Sequence, residues 1–452
     1  MVQLPHYDGR IAVYGLGRSG RAVAQALMAA GNDVVAWDDL PEARAQAHAE
    51  GIALQNPIED ITAITRLILS PGIALTHPAP HPVVAAVQAA NIPVEGDIDM
   101  LADAVRGQVK KIIAITGTNG KSTCTALITH ILQHAGLSAV MGGNIGVPVV
   151  ELDVTSETLL VLELSSYQID LLHRLHPDIV VLTNLTPDHI DRHGSMDGYV
   201  AAKARLFELL ATDGTIVSGI DGKYERAVVD AHKARNIMRV STQGLDADIS
   251  ADGTMIETSN GARFHLSDNL PGRHNAQNAA LAIGVCQTLG LAVDLIQNGL
   301  NSFAGLEHRL QTIGAIDRVR FVNDSKATNA EACGHALRAF ENIYWIAGGR
   351  PKSDGLSGLE NDLQRVTHAY LIGEAAASFA EFLAPLKVPH EISKELSRAV
   401  ERAAQDARRD GSDAVVLFSP ACASFDQFAN FEARGHAFRD YVMPMMRGED
   451  VR

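Results

Sequence analysis

No two cysteines in this sequence stand at C-x-x-C spacing. Cys124, Cys286, Cys333 and Cys422 are scattered along the chain, which argues against a zinc ribbon or a disulfide framework and fits reduced thiols in a cytosolic protein. Positive charge is also scarce. The formal net charge is −15, so nonspecific binding to nucleic acid through phosphate neutralisation is not expected. A nucleotide ligand remains compatible with this balance, because local lysines and helix N-termini can hold phosphate inside an acidic protein. No apolar run approaches the roughly 20 residues of a membrane span, and none is expected to insert. There is no low-complexity segment, and a glycine-rich strand and turn occupy the place where a signal peptide would stand. The 452 residues are 46% hydrophobic and 20% charged, which is normal for a globular protein and too long for one ordinary core, so roughly two to four domains are expected.

The most informative segment is Gly117-Thr118-Asn119-Gly120-Lys121-Ser122-Thr123. It follows the apolar run Lys111-Ile112-Ile113-Ala114-Ile115-Thr116 and precedes a helical pattern from Cys124 to Leu132. Strand, glycine turn, Lys-Ser-Thr and helix together make a phosphate cradle. The glycines let backbone N–H groups approach phosphate oxygens, and the helix N-terminus adds its positive end. Lys121 can reach the β- and γ-phosphates of ATP, and Ser122 can bind Mg²⁺. The strict pattern G-x-x-x-x-G-K-[ST] is not met, because Ile115 stands where its first glycine would be.

The rest of the chain alternates strands and helices in three stretches, which predicts α/β folds with mostly parallel sheets. The first holds strands at Ile11–Tyr14, Asp33–Trp37 and Leu67–Leu69, a helix over Arg21–Ala30, and a last short strand within Asn91–Gly96. The second follows with strands at Leu159–Leu162 and Ile179–Leu182, weaker ones near Thr215–Val217 and Ile237–Val240, and a closing helix near Ala276–Leu289. The third restarts near Gly305, with strands at Val319–Val322, Ile343–Ala347, Ala369–Gly373 and Ala414–Phe418. Polar clusters sit repeatedly at the carboxyl ends of these strands, where open α/β sheets bind ligands.

Several clusters admit rival readings. Gly15-x-Gly17-x-x-Gly20 after the first strand, with Asp38 ending the second, is the fingerprint of a dinucleotide fold and makes an NAD-dependent oxidoreductase a real rival. The same turn can hold the diphosphate of another nucleotide. Glu163 ends a strand beside the phosphate loop and suits a Mg²⁺ ligand, or else a helix N-terminal carboxylate. His189 and His193 have zincin-like spacing, but Ile190 follows the first histidine, so the general-base Glu of H-E-x-x-H is missing and a metallopeptidase is not expected. Asp188 and His189 read instead as site residues near phosphate and metal. By spacing alone Lys203 is a solvated lysine on the amphipathic helix Tyr199–Phe207. Ser419–Phe428 offers small and hydroxyl residues that can donate to a carboxylate, or form a generic turn and cap.

Taken in order, these segments resemble the Mur ligase family along essentially the whole chain. The resemblance runs through Gly15-Leu16-Gly17, Ser70-Pro71-Gly72-Ile73, Thr116–Thr123, Gly142–Gly146, Glu163–Ser166, Asp188-His189 and Lys203. It continues through Gly272–Asn278, His308-Arg309, Asn323–Asn329, Ser419–Phe428 and Asn430–Gly435. It implies three domains: a Rossmann-like UDP-binding domain over 1–98, a central P-loop-type ATPase domain over 99–305 and a Rossmann-like C-terminal domain over 306–452. The C-terminal segments point to the branch that adds D-glutamate. The implied reaction is phosphorylation of the carboxylate of UDP-N-acetylmuramoyl-L-alanine by ATP, followed by attack of the D-glutamate amine on the acyl phosphate.

The resemblance also implies roles for residues. Lys121, His189 and Lys203 would be catalytic. Gly117–Thr123, Asn278, Arg309 and Asp324 would bind ATP. Gly17, Ser19, Asp38, Ser70, Gly72, Asn144 and His189 would bind the UDP-sugar, and Thr328, Lys352, Ser424 and Phe431 the D-glutamate. Two Mg²⁺ ions are implied, one on Ser122 and Glu163, the second on His189 and a carbamylated Lys203. A cytoplasmic monomer is expected. The chain departs from the family at Asp39-Leu40, where a hydroxyl and a basic residue are expected. The alternatives are a sibling ligase adding another amino acid such as L-glutamate, the NAD-dependent oxidoreductase, and a nucleotide sensor with a dead site. The intact set Lys121, Glu163, His189 and Lys203 speaks against the sensor.

Overall fold

Short apolar strands that end in glycine or a polar residue, each followed by a helix, can bury both sheet faces only by winding the helices over a mostly parallel sheet. A computed structural model of the protein, describing residues 2–267, 270–351 and 355–447, contains three such sheets. In the first, Arg10–Tyr14 lies between Asp33–Trp37 and Ile64–Leu69, and Val94–Glu95 pairs with the outer side of the latter. All of these pairs are parallel. The helix after the first glycine turn runs Arg18–Ala29, three residues earlier than the sequence pattern predicts. Gly17, with extended φ −61° and ψ −176°, caps it directly, so the glycine turn and the helix N-terminus are one feature.

The central sheet has nine strands among the described residues, with Lys111–Thr116 between Leu159–Glu163 and Ile179–Leu182. Ala139–Gly143 flanks it on one side, and Thr215–Gly219 and Asn236–Ser241 on the other. Beyond them Ile249–Ala251, Met255–Thr258 and Arg263–His265 form an antiparallel ribbon absent from the sequence reading. Its signals are Asp252-Gly253 and Asn260-Gly261, whose glycines adopt φ +107° and +84°, the chemistry of tight hairpins. In the third sheet Gln311–Ile316 is antiparallel to Val319–Asn323, and the remaining strands are parallel.

Residues Met1–Leu266 with Asn275–Phe303 form one compact unit, and Ser267–His274 with Ala304–Arg452 a second. The first two sheets share the first unit because their helices bury a common core: Ile11, Val13 and Leu27 belong to the same apolar cluster as Leu160, Leu162 and Leu172. Among the described residues no helix is long and apolar enough to cross a membrane.

Candidate active site

In the first unit the phosphate loop closes against the end of the neighbouring strand. Gly120 has φ +83° and caps the helix Lys121–His134. A side chain there would overlap Asn278, so the loop requires glycine and brings Asn278, only 2% exposed, to its wall. Thr183 Oγ1 and Asn184 Nδ2 donate to the carbonyl of Asn119 at 2.6 and 3.1 Å, and Asn119 N–H donates to Asn184 Oδ1 at 2.9 Å. Thr118 N–H donates to the carbonyl of Asn184 at 2.7 Å. The loop is therefore clamped before any ligand binds. Lys121 Nζ donates to the carbonyls of Gly117 and Thr118 at 3.0 and 2.8 Å, which holds the ammonium over the turn. Ser122 and Thr123 are buried at the first turn of the helix.

Glu163 closes Leu159–Glu163, the strand paired with the one feeding the loop. Its side chain is buried, and Oε1 accepts from Asn144 Nδ2 at 2.9 Å. Oε2 has no hydrogen-bond partner. A buried carboxylate oxygen left open is costly unless a cation completes it. Lys203 lies on the helix Met196–Glu208 and is 2% exposed, which corrects the solvated lysine that its spacing suggests. Its Nζ donates to Thr116 Oγ1 at 3.4 Å and lies 4.8 Å from the Tyr199 ring centre. Burial, reinforced by the charge of Lys121, drives its pKa well below the ordinary lysine value.

His189 has φ +53°, its Nδ1 meets Tyr167 OH at 3.0 Å and its Nε2 lies 3.4 Å from Asp188. His193 is occupied otherwise, by Ser166 Oγ at 2.9 Å and Asp170 at 3.7 Å; burial and then Lys203 lower its pKa to about 4. The two histidines make no zincin pair. Arg192, which the sequence reading passed over, donates to the carbonyls of Pro71 and Ile73 at 3.3 and 2.5 Å and so ties the Ser70-Pro71-Gly72 turn to the His189 segment.

A cleft of about 550 Å³ joins these parts. Gly17, Ser19, Ser70, Gly72, Asn144, His189, Lys121 and Lys203 all line it. Asp38 is not among its lining residues: its oxygens accept from the backbone of Leu16 at 2.6 Å and of Leu40 at 2.8 Å. Asp39, at the departure from the family pattern, accepts from Tyr14 OH at 2.6 Å and meets His81 Nε2 at 3.0 Å.

The second unit holds the remaining candidates. Asp324 is buried, accepts from Ser419 Oγ at 2.8 Å and Leu310 N–H at 3.2 Å, and burial pushes its pKa up to about 7. Arg309 belongs to the same turn as Leu310. Arg434 is buried and donates to the carbonyls of Ser325, Cys422 and Ala423 at 2.8, 3.0 and 3.2 Å. It thereby fastens the turns carrying Asp324 and Ser424 to the helix Phe431–Met446. Thr328 and Phe431 are half-buried and Ser424 is buried. Lys352 lies outside the described residues.

Residues 115–286 match the Mur ligase middle domain and residues 308–422 the Mur ligase glutamate ligase domain. The chain is 48% identical to the UDP-N-acetylmuramoylalanine–D-glutamate ligase of a Chelativorans species, over 98% of this chain and 97% of that one. It belongs to the Mur ligase family. The protein of the same name from Brucella suis is 47% identical over 98% of both chains, and that of Phenylobacterium zucineum 44% over 99% of both. Among solved structures, UDP-N-acetylmuramate-alanine ligase MurC from Thermotoga maritima shares the fold at a TM-score of 0.62 and 18% identity, covering 97% of this Mur ligase chain and all of that one. A further match, to the NAD binding domain of 6-phosphogluconate dehydrogenase, covers residues 10–143. In the structure that span is divided between two sheets and includes the Lys121 loop, so in this Mur ligase it does not form one dinucleotide-binding sheet.

Proposed function

We propose that this Mur ligase is a cytoplasmic, monomeric enzyme of peptidoglycan-precursor synthesis that joins D-glutamate to UDP-N-acetylmuramoyl-L-alanine with ATP, releasing ADP and phosphate. The observation that carries the reading is Glu163: a buried carboxylate with one oxygen held by Asn144 and the other open, on the strand beside the Lys121-Ser122 turn. The relatives named above carry the same activity in their names, which supports the choice of D-glutamate over another amino acid.

The chemistry explains the residue types. A carboxylate attacking a triphosphate is repelled by like charge, so catalysis rests on positioning and charge neutralisation. Lys121 and the N–H groups of the Gly117–Thr123 loop supply fixed positive ends to the phosphates, with Asn278, Arg309 and Asp324 as further ATP contacts. A hydroxyl and a buried carboxylate with one oxygen open are the hard oxygen donors that Mg²⁺ takes. Ser122 and Glu163 would hold one ion, and His189 with carbamylated Lys203 a second; ions held there would supply positive charge against the phosphates. Carbamate forms when the uncharged Lys203 amine adds to carbon dioxide and loses one proton, which turns a cation into an anionic ligand. Gly17, Ser19, Ser70, Gly72, Asn144 and His189, which line one cleft, hold the UDP-sugar, and Asp38 acts on it by fixing the Leu16 backbone of the glycine turn. Thr328, Lys352, Ser424 and Phe431 hold D-glutamate, whose two carboxylates need a cation and several donors.

A coupled assay with UDP-N-acetylmuramoyl-L-alanine, ATP and each glutamate enantiomer tests this. ADP release should depend on the D-enantiomer, because anchoring both carboxylates of the L-form misdirects its amine. Equal rates with the two enantiomers would falsify the assignment of the amino-acid substrate.

A further inference from the structure

In the second unit Glu307, His308 and His436 bring a carboxylate and two imidazoles within 4.8 Å of one another, a set that by composition suits a divalent metal. Asn323 decides against that reading. Its Oδ1 accepts from Ser325 N–H at 3.2 Å, which turns Nδ2 toward the Gly435 carbonyl at 2.9 Å and His308 Nδ1 at 3.1 Å. Both amide hydrogens then have acceptors, and His308 Nδ1 supplies a lone pair. A neutral imidazole that accepts at Nδ1 carries its proton on Nε2. The buried ring therefore directs an N–H, not a lone pair, toward Glu307, 4.0 Å away. Arg439 already donates to the same carboxylate at 2.9 Å. His308 Nε2 has no hydrogen-bond partner, and the ring is tied into a structural junction through Nδ1.

On one side of the junction is the turn that carries Arg309. His308 and Leu310 both adopt left-handed backbone, with φ +62° and +44°, which non-glycine residues adopt only when their surroundings enforce it. Three bonds enforce it here. His308 N–H donates to Gln311 Oε1 at 3.0 Å, Lys326 N–H donates to the His308 carbonyl at 3.1 Å, and Leu310 N–H donates to Asp324 at 3.2 Å. On the other side is the helix Phe431–Met446. Ser325 Oγ donates to the Phe431 carbonyl at 2.9 Å, and the Lys326 ammonium lies 3.8 Å from the Phe431 ring centre. The helix meets the turn at Gly435. A Cβ built there would stand 2.6 Å from His308 Cγ and 2.8 Å from Cε1. A glycine inside a helix is otherwise unfavourable, so this one marks close approach.

We propose that Asn323, His308 and Gly435 are positioning residues that set the register of the Arg309 turn against the Phe431 helix, so that one packing contact fixes the geometry of two co-substrate contacts. The inference rests on the assignment of Arg309 to ATP and Phe431 to D-glutamate made above. Its test is Gly435→Ala in the full chain, with KM measured separately for ATP, D-glutamate and the UDP-sugar. The added methyl displaces the His308 ring. KM for ATP and for D-glutamate should each rise roughly tenfold, and that for the UDP-sugar should stay within about twofold. A merely structural glycine would alter the melting midpoint or the active fraction, hence kcat, and leave every KM in place. If both KM values are unchanged, or only one moves, the proposal is overturned.

Should Gly435→Ala fail to fold, Asn323→Asp keeps the volume and removes the donor to both His308 Nδ1 and the Gly435 carbonyl. The same paired rise is expected, with the His308 proton moving from Nε2 to Nδ1 as read from its ¹⁵N shifts. An Nδ1–H ring in the unsubstituted protein overturns the junction directly. An unsubstituted protein that turns over nothing with ATP and D-glutamate overturns the functional reading instead, and the tautomer measurement then still decides the junction.

Discussion

The two glycine turns of the first unit have the same place in their sheets and different chemistry. Each follows the first strand of its sheet and opens a helix, one at Arg18 and one at Lys121. In each, glycine is imposed by close approach: a Cβ at Gly20 would overlap the Gly15 carbonyl, and one at Gly117 would overlap Thr183. The difference lies in the carboxylate at the end of a neighbouring strand. Asp38 spends its oxygens on the backbone N–H groups of Leu16 and Leu40, which ties the first turn down, and Arg18 of that turn lines the cleft. Glu163 keeps Oε2 unpartnered, beside a turn that presents Lys121 and Ser122. A glycine pattern thus specifies where a backbone can approach phosphate, and the neighbouring side chains decide whether a cation joins it.

Breaking the second turn should have the largest effect. Lys121→Ala should lower ADP formation by at least about a thousandfold, since it removes the ammonium that is held over the loop for the transferring phosphate. Binding of the UDP-sugar, followed by calorimetry, should persist. Near-normal turnover would erase the distinction between the turns. Glu163→Gln keeps the shape and the Asn144 contact on one oxygen while lowering metal affinity. Its kcat at limiting Mg²⁺ should fall roughly a hundredfold and recover in part at high Mg²⁺; a Mg²⁺ dependence identical to that of the parent would contradict a cation at the open oxygen.

Lys203→Ala should cost roughly as much as Glu163→Gln, and a short carboxylic acid added to the buffer should restore part of the activity by supplying the missing anion. Mass spectrometry of the intact protein under carbon dioxide, with and without the substitution, checks the carbamate independently of turnover. The smallest change is expected in the first turn. Gly20→Ala forces its methyl against the Gly15 carbonyl and should raise KM for the UDP-sugar by about tenfold with KM for ATP nearly constant. If KM for ATP rises equally, the two turns are not separable and the comparison fails.

Much of this was legible in the chain. Strand, glycine, Lys-Ser-Thr and helix are contiguous in sequence, so the place of the phosphate loop and its helix start are readable locally, although Thr183, Asn184 and Asn278, which clamp the loop, come from distant segments. Most of the parallel strands were readable for the same reason, because period and punctuation are local, but Ala139–Gly143 and His390–Lys394 were not read. The antiparallel ribbon around Asp252-Gly253 and Asn260-Gly261 was missed although its turns are also local: its strands are three or four residues long, too short for alternation to stand out.

What depended on the tertiary structure concerns charge and solvent. Lys203 has the spacing of an exposed helix residue, yet the helix packs so that its amine is buried against Thr116 and Tyr199, and only burial makes that lysine chemically unusual. Asp38 and Glu163 are equivalent in sequence terms, each an acid closing a strand, and differ because Leu16 from another segment and the nearby Leu40 satisfy both oxygens of one, whereas Asn144 satisfies one oxygen of the other and leaves the second open. The same holds for His308, whose proton is placed by an amide from Asn323. Sequence determined where the backbone bends and which residue types stand there. Solvation and partner geometry, which arise when distant segments pack, determined what those residues can do.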